Sequence, residues 1–316
     1  MFPIRIMKNK LKTILITGAT GFVGSWLTRY FLNKKFNIIA HGSSKNTIMQ
    51  LKQKLERQGY SLKNLDFWEQ NFKAKQWGFP NFQNIDYLIH CAAITSVRQG
   101  IRENFDGYFT VNVLGTKIIA EKALDNKLSH FIHLSSGQIY GKPDEFPIND
   151  KTPKEPINLY GFTKLMSEEI VKAFGIFGLN YTIMRPFSVY GKEQSNIISI
   201  IFNKIKNDEV LTIYGDGTQT RAFMHINDIC NAIQLILGNQ SCFREEYNLS
   251  GPKEYSVNKL VEMITQKVEK EPKIVYKDSG INELKRNLAD TTKLQKLGFQ
   301  YEYSLENFIE SLDKLN

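Results

Sequence analysis

Short runs of β-branched and apolar residues alternate with longer amphipathic stretches through the first 190 residues of this 316-residue chain. The short runs predict buried parallel strands at 13–17, 37–41, 62–67, 86–91, 130–134 and 181–185. The stretches between them have the apolar spacing of a helix and predict helices after Gly24 and at 46–58, 104–124 and 161–177. Regular alternation of strands and helices predicts an α/β fold with a doubly wound parallel sheet.

The alternation is less regular beyond residue 190. A helix at 196–206, a strand at 210–214 and helices after Asn227 and Ser256 are predicted there. Residues 191–316 are therefore predicted to form a smaller lobe. It is expected to be interwoven with the first lobe (1–190), with some segments exchanged and no flexible linker between the two.

Three glycines separate the first predicted strand from the first predicted helix, in the segment TGATGFVG. Gly18, Gly21 and Gly24 allow a sharp turn, a close approach of backbone N–H groups to a pyrophosphate, and close packing of the helix on the strand. The positive end of the helix dipole then faces the phosphates. The segment predicts a Rossmann-like, dinucleotide-binding unit in residues 1–190.

The residues after the second predicted strand bear on the choice of dinucleotide. They are Gly42, Ser43, Ser44 and Lys45, and none of them is a carboxylate. A carboxylate at this place binds the ribose hydroxyls of NAD, whereas hydroxyls and a lysine tolerate the 2′-phosphate of NADP. The sequence therefore favours NADP(H) as cofactor and leaves NAD(H) possible.

Composition argues against several other classes of protein. Hydrophobic residues make up 42% of the chain, and no apolar run reaches the ~20 residues of a membrane span, so no membrane partner is expected. Cys91, Cys230 and Cys242 form no C-x-x-C pair, which argues against a disulfide framework and against a metal site. The basic N-terminal stretch has too few apolar residues for a signal peptide, so a cytoplasmic location is expected.

The formal net charge of +9 has two interpretations. It could attract anions such as nucleotides or RNA, or it could reflect a lysine-rich solvated surface. The lysines are dispersed and form no basic run, which favours the second interpretation, and no nucleic-acid partner is expected. A non-catalytic protein that senses a cofactor or binds RNA stays as a minor alternative.

Tyr160 and Lys164 are four residues apart and share one face of a predicted helix. An adjacent ammonium stabilises a phenolate and lowers the pKa of the tyrosine from about 10. Ser136, at the end of a predicted strand, would hold the substrate oxygen while Tyr160 exchanges its proton and the nicotinamide exchanges a hydride. The same spacing at 30/34 and 255/259 follows no such strand and is interpreted as helix surface.

Together these segments resemble the extended short-chain dehydrogenase/reductases that modify nucleotide-activated sugars, the NAD-dependent epimerase/dehydratase group. The resemblance runs from about Lys12 to the C-terminus. It is carried by TGATGFVG, HCAA, NVLGT, LSSGQIYG, YGFTK, RPFSVYG, IYGDGTQTRAFMHINDI and KRNLADTTKLQKLGF. It implies that Ser136, Tyr160 and Lys164 are catalytic, that the substrate is a nucleotide-diphosphate sugar, and that the protein is a homodimer joined through helices 104–124 and 161–177.

The resemblance and the patterns above assign two sets of residues. The expected cofactor-binding residues are Gly18, Thr20, Gly21, Phe22, Val23, Gly24, Gly42, Ser43, Ser44, Lys45, Asp66, Phe67, Cys91, Ala92, Ala93, Asn112, Tyr160, Lys164 and Pro186. The expected substrate-binding residues are Thr95, Ser136, Gly137, Gln138, Ser188, Tyr214, Arg221 and Arg286.

Some of these roles are more specific. Asp66 is expected to touch adenine, and Asn112 to organise the backbone of the active site, because an asparagine in mid-helix needs a hydrogen-bonding reason. Arg221 and Arg286 take the positions of the family's diphosphate-binding arginines, with surface salt bridges as the alternative. Ala222 replaces an acidic residue common in relatives, which weakens any assignment of the substrate residue by residue.

The reaction is narrowed by two residues. Sugar 4,6-dehydratases of the family need an acid and a base beside the active-site threonine, and neither Gly137 nor Gln138 can do that work. Reactions at C4 remain, either NADPH-dependent reduction of a 4-keto (deoxy)sugar nucleotide or 4-epimerisation with bound NAD. The missing carboxylate after the second strand, and a tail similar to that of reductases making CDP- or dTDP-linked deoxyhexoses, favour reduction, with epimerisation as the alternative.

Overall fold

The computed structural model describes residues 11–96, 101–278 and 284–315. The expectation for the N-terminal basic stretch therefore lies largely outside the described residues. The strands are β1 (Thr13–Thr17), β2 (Asn37–Gly42), β3 (Leu65–Glu69), β4 (Tyr87–His90), β5 (His130–Leu134), β6 (Tyr181–Pro186), β7 (Ser188–Tyr190), β8 (Val210–Tyr214), β9 (Thr220–His225), β10 (Glu245–Leu249), β11 (Glu254–Ser256) and β12 (Lys273–Lys277).

The helices follow in the same order. They are α1 (Phe22–Asn33), α2 (Lys45–Arg57), α3 (Ile101–Tyr108), α4 (Gly115–Asp125), α5 (Leu159–Ile176), α6 (Ile197–Lys206), α7 (Ile226–Ile236), α8 (Val257–Val268), α9 (Thr292–Gln295) and α10 (Leu305–Glu310). A π-helical turn, Phe109–Leu114, joins α3 to α4. No helix among the described residues is long and apolar enough to cross a bilayer.

Seven parallel strands form the central sheet, in the order β10-β6-β5-β4-β1-β2-β3. β1 is buried at every position because helices cover both faces of the sheet, and burial on both faces explains its continuous apolar run. On one face, Leu27 of α1 packs in the same core as Ile229 and Ile233 of α7. The predicted doubly wound α/β fold is confirmed.

The order of the strands indicates where the candidate site lies. β2 and β3 lie on one side of β1, whereas β4, β5 and β6 lie on the other. The winding direction therefore reverses between β1 and β4, and the loops that leave their carboxyl ends diverge. Ligands bind in this crevice in open α/β sheets.

The C-terminal part forms two smaller sheets, β11-β9-β7 and β12-β8. Helices α6, α8 and α10 contribute to a separate core around Phe202 and Leu260. β10 nevertheless joins the edge of the central sheet beside β6, and α7 packs with α1. The two parts of the chain are thus interwoven, and a division into lobes at residue 190 stays a prediction.

The structure differs from the predicted elements in several places. The third strand begins three positions later than predicted, because Leu65 and Trp68 are its buried residues. The predicted single helix at 104–124 contains the π-helical turn. The sequence did not predict β7, β9, β10, β11 or β12. β7 and β11 are only three residues long, and β12 is mostly exposed, so these three lack a continuous buried run.

Candidate active site

A cleft of about 790 Å³ opens at the carboxyl ends of β1, β4 and β5. It is lined by most of the residues that the sequence assigned to the cofactor and the substrate. These are Gly18, Thr20, Gly21, Phe22, Val23, Gly24, Ser43, Cys91, Ala92, Ala93, Thr95, Ser136, Gly137, Gln138, Tyr160, Lys164 and Pro186. The fold thus brings both sets of residues together in one cavity.

The turn after β1 has room for glycine only. Gly18 has a φ of +67°, and a Cβ there would lie 2.8 Å from the backbone of Ala92 at the end of β4. A Cβ on Gly24 would lie 2.2 Å from the carbonyl oxygen of Gly18. Helix α1 therefore packs directly on the turn, and its first residues, Phe22, Val23 and Gly24, line the cleft.

A chain of hydrogen bonds runs behind the cleft through His90, and the donor and the acceptor of each bond are fixed. Thr116 donates its hydroxyl proton to the Asn112 carbonyl (2.7 Å) and therefore accepts from His90 Nε2 (2.9 Å). His90 Nδ1 then accepts from the Thr17 hydroxyl (2.7 Å), which accepts from the N–H of Ala92 (3.3 Å). Burial holds the pKa of His90 well below its ordinary range, so the ring is neutral, as this chain of hydrogen bonds requires.

Asn112 lies in the π-helical turn, and both the oxygen and the nitrogen of its side-chain amide form hydrogen bonds. Its Oδ1 accepts from the N–H of Ile94 (2.8 Å), and its Nδ2 donates to the Ile94 carbonyl (3.0 Å) and to the Thr163 hydroxyl (2.9 Å). The hydrogen-bonding reason expected for this asparagine is therefore present. Its side chain ties the loop after β4 to the helix that carries Tyr160, behind the cleft rather than in its lining.

Ser136, Tyr160 and Lys164 meet in the cleft. Ser136 follows β5, and Tyr160 lies in the first turn of α5, which is capped by the side chain of Asn158. Tyr160 is hydrogen-bonded to Ser136. Lys164, one turn further along α5, donates to the carbonyl oxygen of Leu134 (2.5 Å).

The pKa of Tyr160 is raised in this structure, whereas the sequence predicted that Lys164 would lower it. Burial raises the pKa to about 12, and the hydrogen bond with Ser136 offsets this only in part. Burial also lowers the pKa of Lys164 to about 8. The predicted direction is wrong because desolvation of the phenolate outweighs the other effects on Tyr160.

Polar side chains form the end of the cleft that lies next to the carboxyl ends of β2 and β3. His41 Nδ1 accepts from the N–H of Gly18 (2.9 Å), and its Nε2 donates to the Gln70 carbonyl (2.8 Å). Gln70, Asn71 and Lys73, which follow β3, also line this end. Sequence reasoning missed these residues because it placed the third strand too early in the chain.

Besides Asn112, five residues predicted for the cofactor lie outside the lining of the cleft. Gly42 ends β2, Ser44 caps α2, and Lys45 is the first residue of α2. Asp66 and Phe67 lie within β3, where they pair with Ile39 and with the next residue of β2. The contact between Asp66 and adenine does not fit this placement, because only the carboxyl end of a strand reaches the crevice.

The residues predicted for the substrate divide into two groups. Thr95, Ser136, Gly137 and Gln138 line the cleft, whereas the residues outside its lining are Ser188 in β7, Tyr214 in β8, Arg221 in β9 and Arg286. Phe187, Gln194 and Asn287 are among the further lining residues to which the sequence assigned no role. Phe187 stands within RPFSVYG, so that motif was the available signal for it.

Both arginines are engaged within the protein. Arg221 donates to the carbonyl oxygens of Thr220 (2.7 Å) and Leu284 (2.9 Å). Arg286 donates twice to the carboxylate of Glu254 (2.6 and 3.1 Å). The salt bridge that was the alternative interpretation for Arg286 is therefore present.

Comparisons with known proteins agree with this geometry. The sequence model of the NAD dependent epimerase/dehydratase family matches residues 14–250. An uncharacterised UDP-glucose epimerase of Bacillus subtilis is 28% identical over 289 residues, covering 90% of this chain and 91% of that protein.

Two solved structures extend the match to the whole fold. One is a mutant UDP-glucuronic acid 4-epimerase of Bacillus cereus with UDP-4-deoxy-4-fluoro-glucuronic acid and NAD (27% identity, 94% and 96% coverage, TM-score 0.85). The other is the UDP-N-acetylglucosamine 4-epimerase of Methanobrevibacter ruminantium M1 with UDP-N-acetylmuramic acid (25% identity, 97% and 98% coverage, TM-score 0.84). The chain therefore belongs to the NAD-dependent epimerase/dehydratase family, within the extended short-chain dehydrogenase/reductases that its motifs resemble.

Proposed function

We propose that the protein is a 4-epimerase of a nucleotide-diphosphate sugar and keeps NAD(H) bound throughout the reaction. The observation that carries this proposal is the similarity, over nearly the whole chain, to a UDP-glucuronic acid 4-epimerase solved with NAD. The similar proteins named above are epimerases, which favours this reaction over the 4-keto reduction that the sequence alone favoured.

The cleft fits a dinucleotide. Its volume of about 790 Å³ lies in the range of cofactor sites. The backbone at Gly18 and Gly21, with the start of α1, would hold the pyrophosphate, because no Cβ blocks the approach. Tyr160 and Lys164 would hold the nicotinamide ribose. When bound, NAD supplies an acceptor that takes a hydride from the sugar and returns it.

Three side chains of the cleft would handle the proton and the sugar oxygen. Tyr160 accepts the proton of the C4 hydroxyl as C4 is oxidised, and returns it once the 4-keto sugar has presented its other face. Ser136 holds the C4 oxygen in both steps. Lys164, with a pKa of about 8, carries a positive charge at neutral pH, and this charge would favour the phenolate of Tyr160 against the burial that disfavours it. The proton and the hydride both return, so the sugar is inverted without net oxidation.

A 4-keto reductase that uses NADP(H) is the second candidate, and one observation favours it. Among the described residues no aspartate or glutamate lines the cleft, and Ser43 and Lys73 lie in its lining. A hydroxyl and an ammonium tolerate a 2′-phosphate better than a carboxylate does. A preference for NADP(H) belongs with this second candidate.

Turnover without added cofactor separates the two reactions. The purified protein would be incubated with UDP-glucose, UDP-glucuronic acid, UDP-N-acetylglucosamine and their C4 epimers, and the products identified by NMR. Inversion at C4 without added NAD(P)H, abolished by Tyr160→Phe, supports the epimerase. Turnover only of a 4-keto sugar nucleotide, with NADPH consumed in proportion to product, would establish the reductase instead.

We also propose that the protein forms a homodimer through the helices around α5. Phe105 of α3, Leu114 of the π-helical turn, and Phe162 and Met166 of α5 are exposed apolar side chains. Exposed apolar side chains grouped on neighbouring helices are typical of an interface. Sedimentation of the wild type and of a Phe162→Glu, Met166→Glu double variant would test this, with a monomeric variant as the expected result.

A cytoplasmic location is likewise proposed. Cys91, Cys230 and Cys242 carry free thiols, as expected in a reducing compartment. Fractionation of cells that express the protein from its own gene would test this.

A further inference from the structure

We propose that Gln138 recognises the sugar of the substrate and that Asn158 determines which atoms of Gln138 do so. In this arrangement the amide N–H groups of Gln138 face the cleft and donate to a hydroxyl oxygen of a neutral hexose. The inference rests on the proposed function and deepens it, because it names the contact that distinguishes a nucleotide sugar from the bare nucleotide.

The backbone of α5 fixes the orientation of Asn158. Asn158 is the N-cap of this helix, and its Oδ1 accepts from the N–H of Gly161 at 2.8 Å. A backbone N–H can only donate, so the side-chain atom that faces it must be the amide oxygen. The NH₂ group of Asn158 is therefore the part that reaches its other neighbour.

Asn158 in turn fixes the orientation of Gln138. Asn158 Nδ2 donates to Gln138 Oε1 at 2.9 Å. An NH₂ group can only donate, so Gln138 must present its oxygen to Asn158 and keep its NH₂ group for another partner. Gln138 lines the cleft together with Ser136 and Tyr160. Two N–H donors are therefore available to a ligand beside the reacting groups.

The backbone that carries Gln138 is held in place on both sides. A Cβ on Gly161 would lie 2.5 Å from the carbonyl oxygen of Gln138, and a Cβ on Gly137 would lie 2.8 Å from the Phe187 ring. Such close contacts leave little freedom to shift. Because the donor is already positioned, less conformational entropy is lost when the sugar binds.

A second side-chain amide in the cleft, that of Asn287, helps to indicate which chemical group of the ligand binds there. Asn287 is only 6% exposed, lines the cleft, and has an Oδ1 with no hydrogen-bond partner among the described residues. A sugar hydroxyl can accept from Gln138 and can donate to a carbonyl oxygen, whereas a carboxylate can only accept. The two amides therefore fit a hydroxyl group of the sugar better than they fit the carboxylate group of a uronate.

Calorimetric titration of the NAD-loaded protein with UDP-glucose and with UDP tests this inference. Gln138→Leu introduces an apolar side chain of similar size and removes the donors, so it is expected to weaken UDP-glucose binding about 5- to 10-fold. Binding of UDP, which has no sugar, is expected to stay unchanged. UDP-glucuronic acid is expected to bind the wild type more weakly than UDP-glucose does.

Asn158→Asp tests the role of Asn158 while Gln138 stays in place. The new carboxylate still caps α5, but it cannot donate, so the NH₂ group of Gln138 should turn towards it and the carbonyl oxygen should face the cleft. UDP-glucose binding is expected to weaken by a similar factor. The double variant with Gln138→Leu should be no weaker than Gln138→Leu alone, because both changes remove the same contact.

Four results would overturn the inference. UDP-glucose affinity that is equal in the wild type and both single variants would exclude the contact. A loss of UDP affinity by the same factor would place the effect in the fold rather than in sugar recognition. Tighter binding of UDP-glucuronic acid than of UDP-glucose would exclude a neutral sugar. A wild-type protein that binds neither UDP nor UDP-glucose would contradict the proposed function itself, and this inference with it.

Discussion

The side-chain ammonium of Lys164 donates a hydrogen bond to the backbone carbonyl oxygen of Leu134, at a distance of 2.5 Å. Leu134 is the last residue of β5, and Ser136 follows it, so this bond joins the catalytic helix to the strand that delivers the serine. Burial lowers the pKa of Lys164 to about 8. Lys164 therefore loses its positive charge within the pH range in which the enzyme would work.

Activity is expected to fall as the pH rises through about 8. Lys164 loses its proton over that range, and the neutral amine no longer favours the phenolate of Tyr160. Measurement of kcat against pH checks this. Lys34→Met is a matched control, because Lys34 is exposed and stands at the same spacing from Tyr30, so this variant should keep the wild-type profile. A wild-type kcat that stays constant up to about pH 10 would contradict the role of Lys164.

Gly24→Ala is expected to abolish NAD binding. A Cβ at this position would lie 2.2 Å from the carbonyl oxygen of Gly18, so α1 would have to move away from the turn that would hold the pyrophosphate. The bound nucleotide of purified protein, released by denaturation, should fall from stoichiometric to a trace. Gly78→Ala is the control, because a Cβ there meets no atom within 4 Å. Equal nucleotide content in the two variants would exclude this use of the glycine turn.

Glu168→Gln is expected to destabilise the folded protein by about 3 kcal/mol, because it leaves a buried guanidinium short of a counter-charge. Arg185 and Glu168 are both fully buried, and two bonds of 2.8 Å join them. Urea denaturation measures the change in the free energy of unfolding. Glu121→Gln removes the exposed ion pair with Lys117 and should change that free energy by less than about 0.5 kcal/mol. Similar effects of the two substitutions would show that the buried pair contributes little.

The free energy of unfolding is expected to fall as the pH drops from about 6.5 towards about 4. The unfolded chain takes up histidine protons near pH 6.5, whereas burial keeps the folded protein from binding them until the pH is near 4 or below. The unfolded state thus binds more protons over this range, which favours unfolding. Burial lowers the pKa of His41, His90, His130, His133 and His225.

Denaturant titrations at a series of pH values check this prediction. The midpoint for guanidinium chloride should decrease steadily as the buffer pH is lowered from about 7 towards about 4. A midpoint that does not change between about pH 7 and pH 5 would contradict burial of neutral histidines. A rise over the same range would reverse the sign of the linkage.

The first half of the fold could be predicted from local patterns, and much of the second half could not. β1 and β5 have the predicted bounds because strands buried on both faces appear as continuous apolar runs. β10 contains two glutamates, and Glu246 is paired with Arg185 of the neighbouring strand. The partner that makes this acidic segment a strand of the central sheet lies 61 residues away, so no local pattern reveals it.

The grouping of Ser136, Tyr160 and Lys164 was predictable, because strand ends and helical spacing fix it. The electrostatics of Tyr160 were not, because burial depends on the whole fold. The later start of β3 places Asp66 within the strand, whereas Gln70 and Asn71 follow its carboxyl end and line the cleft. An error of a few residues in the predicted position of a strand thus assigns the wrong residues to the site, because only the ends of the strands reach it.

Identification of the nucleotide that the purified protein carries tests the central claim most directly. The protein would be denatured, the released nucleotide identified and quantified, and the remaining empty protein titrated with NADH and NADPH. The proposed 4-epimerase predicts stoichiometric NAD(H) and no requirement for added cofactor. Release of NADP(H), or an empty cleft that binds NADPH in preference to NADH, would contradict it and support a 4-keto reductase.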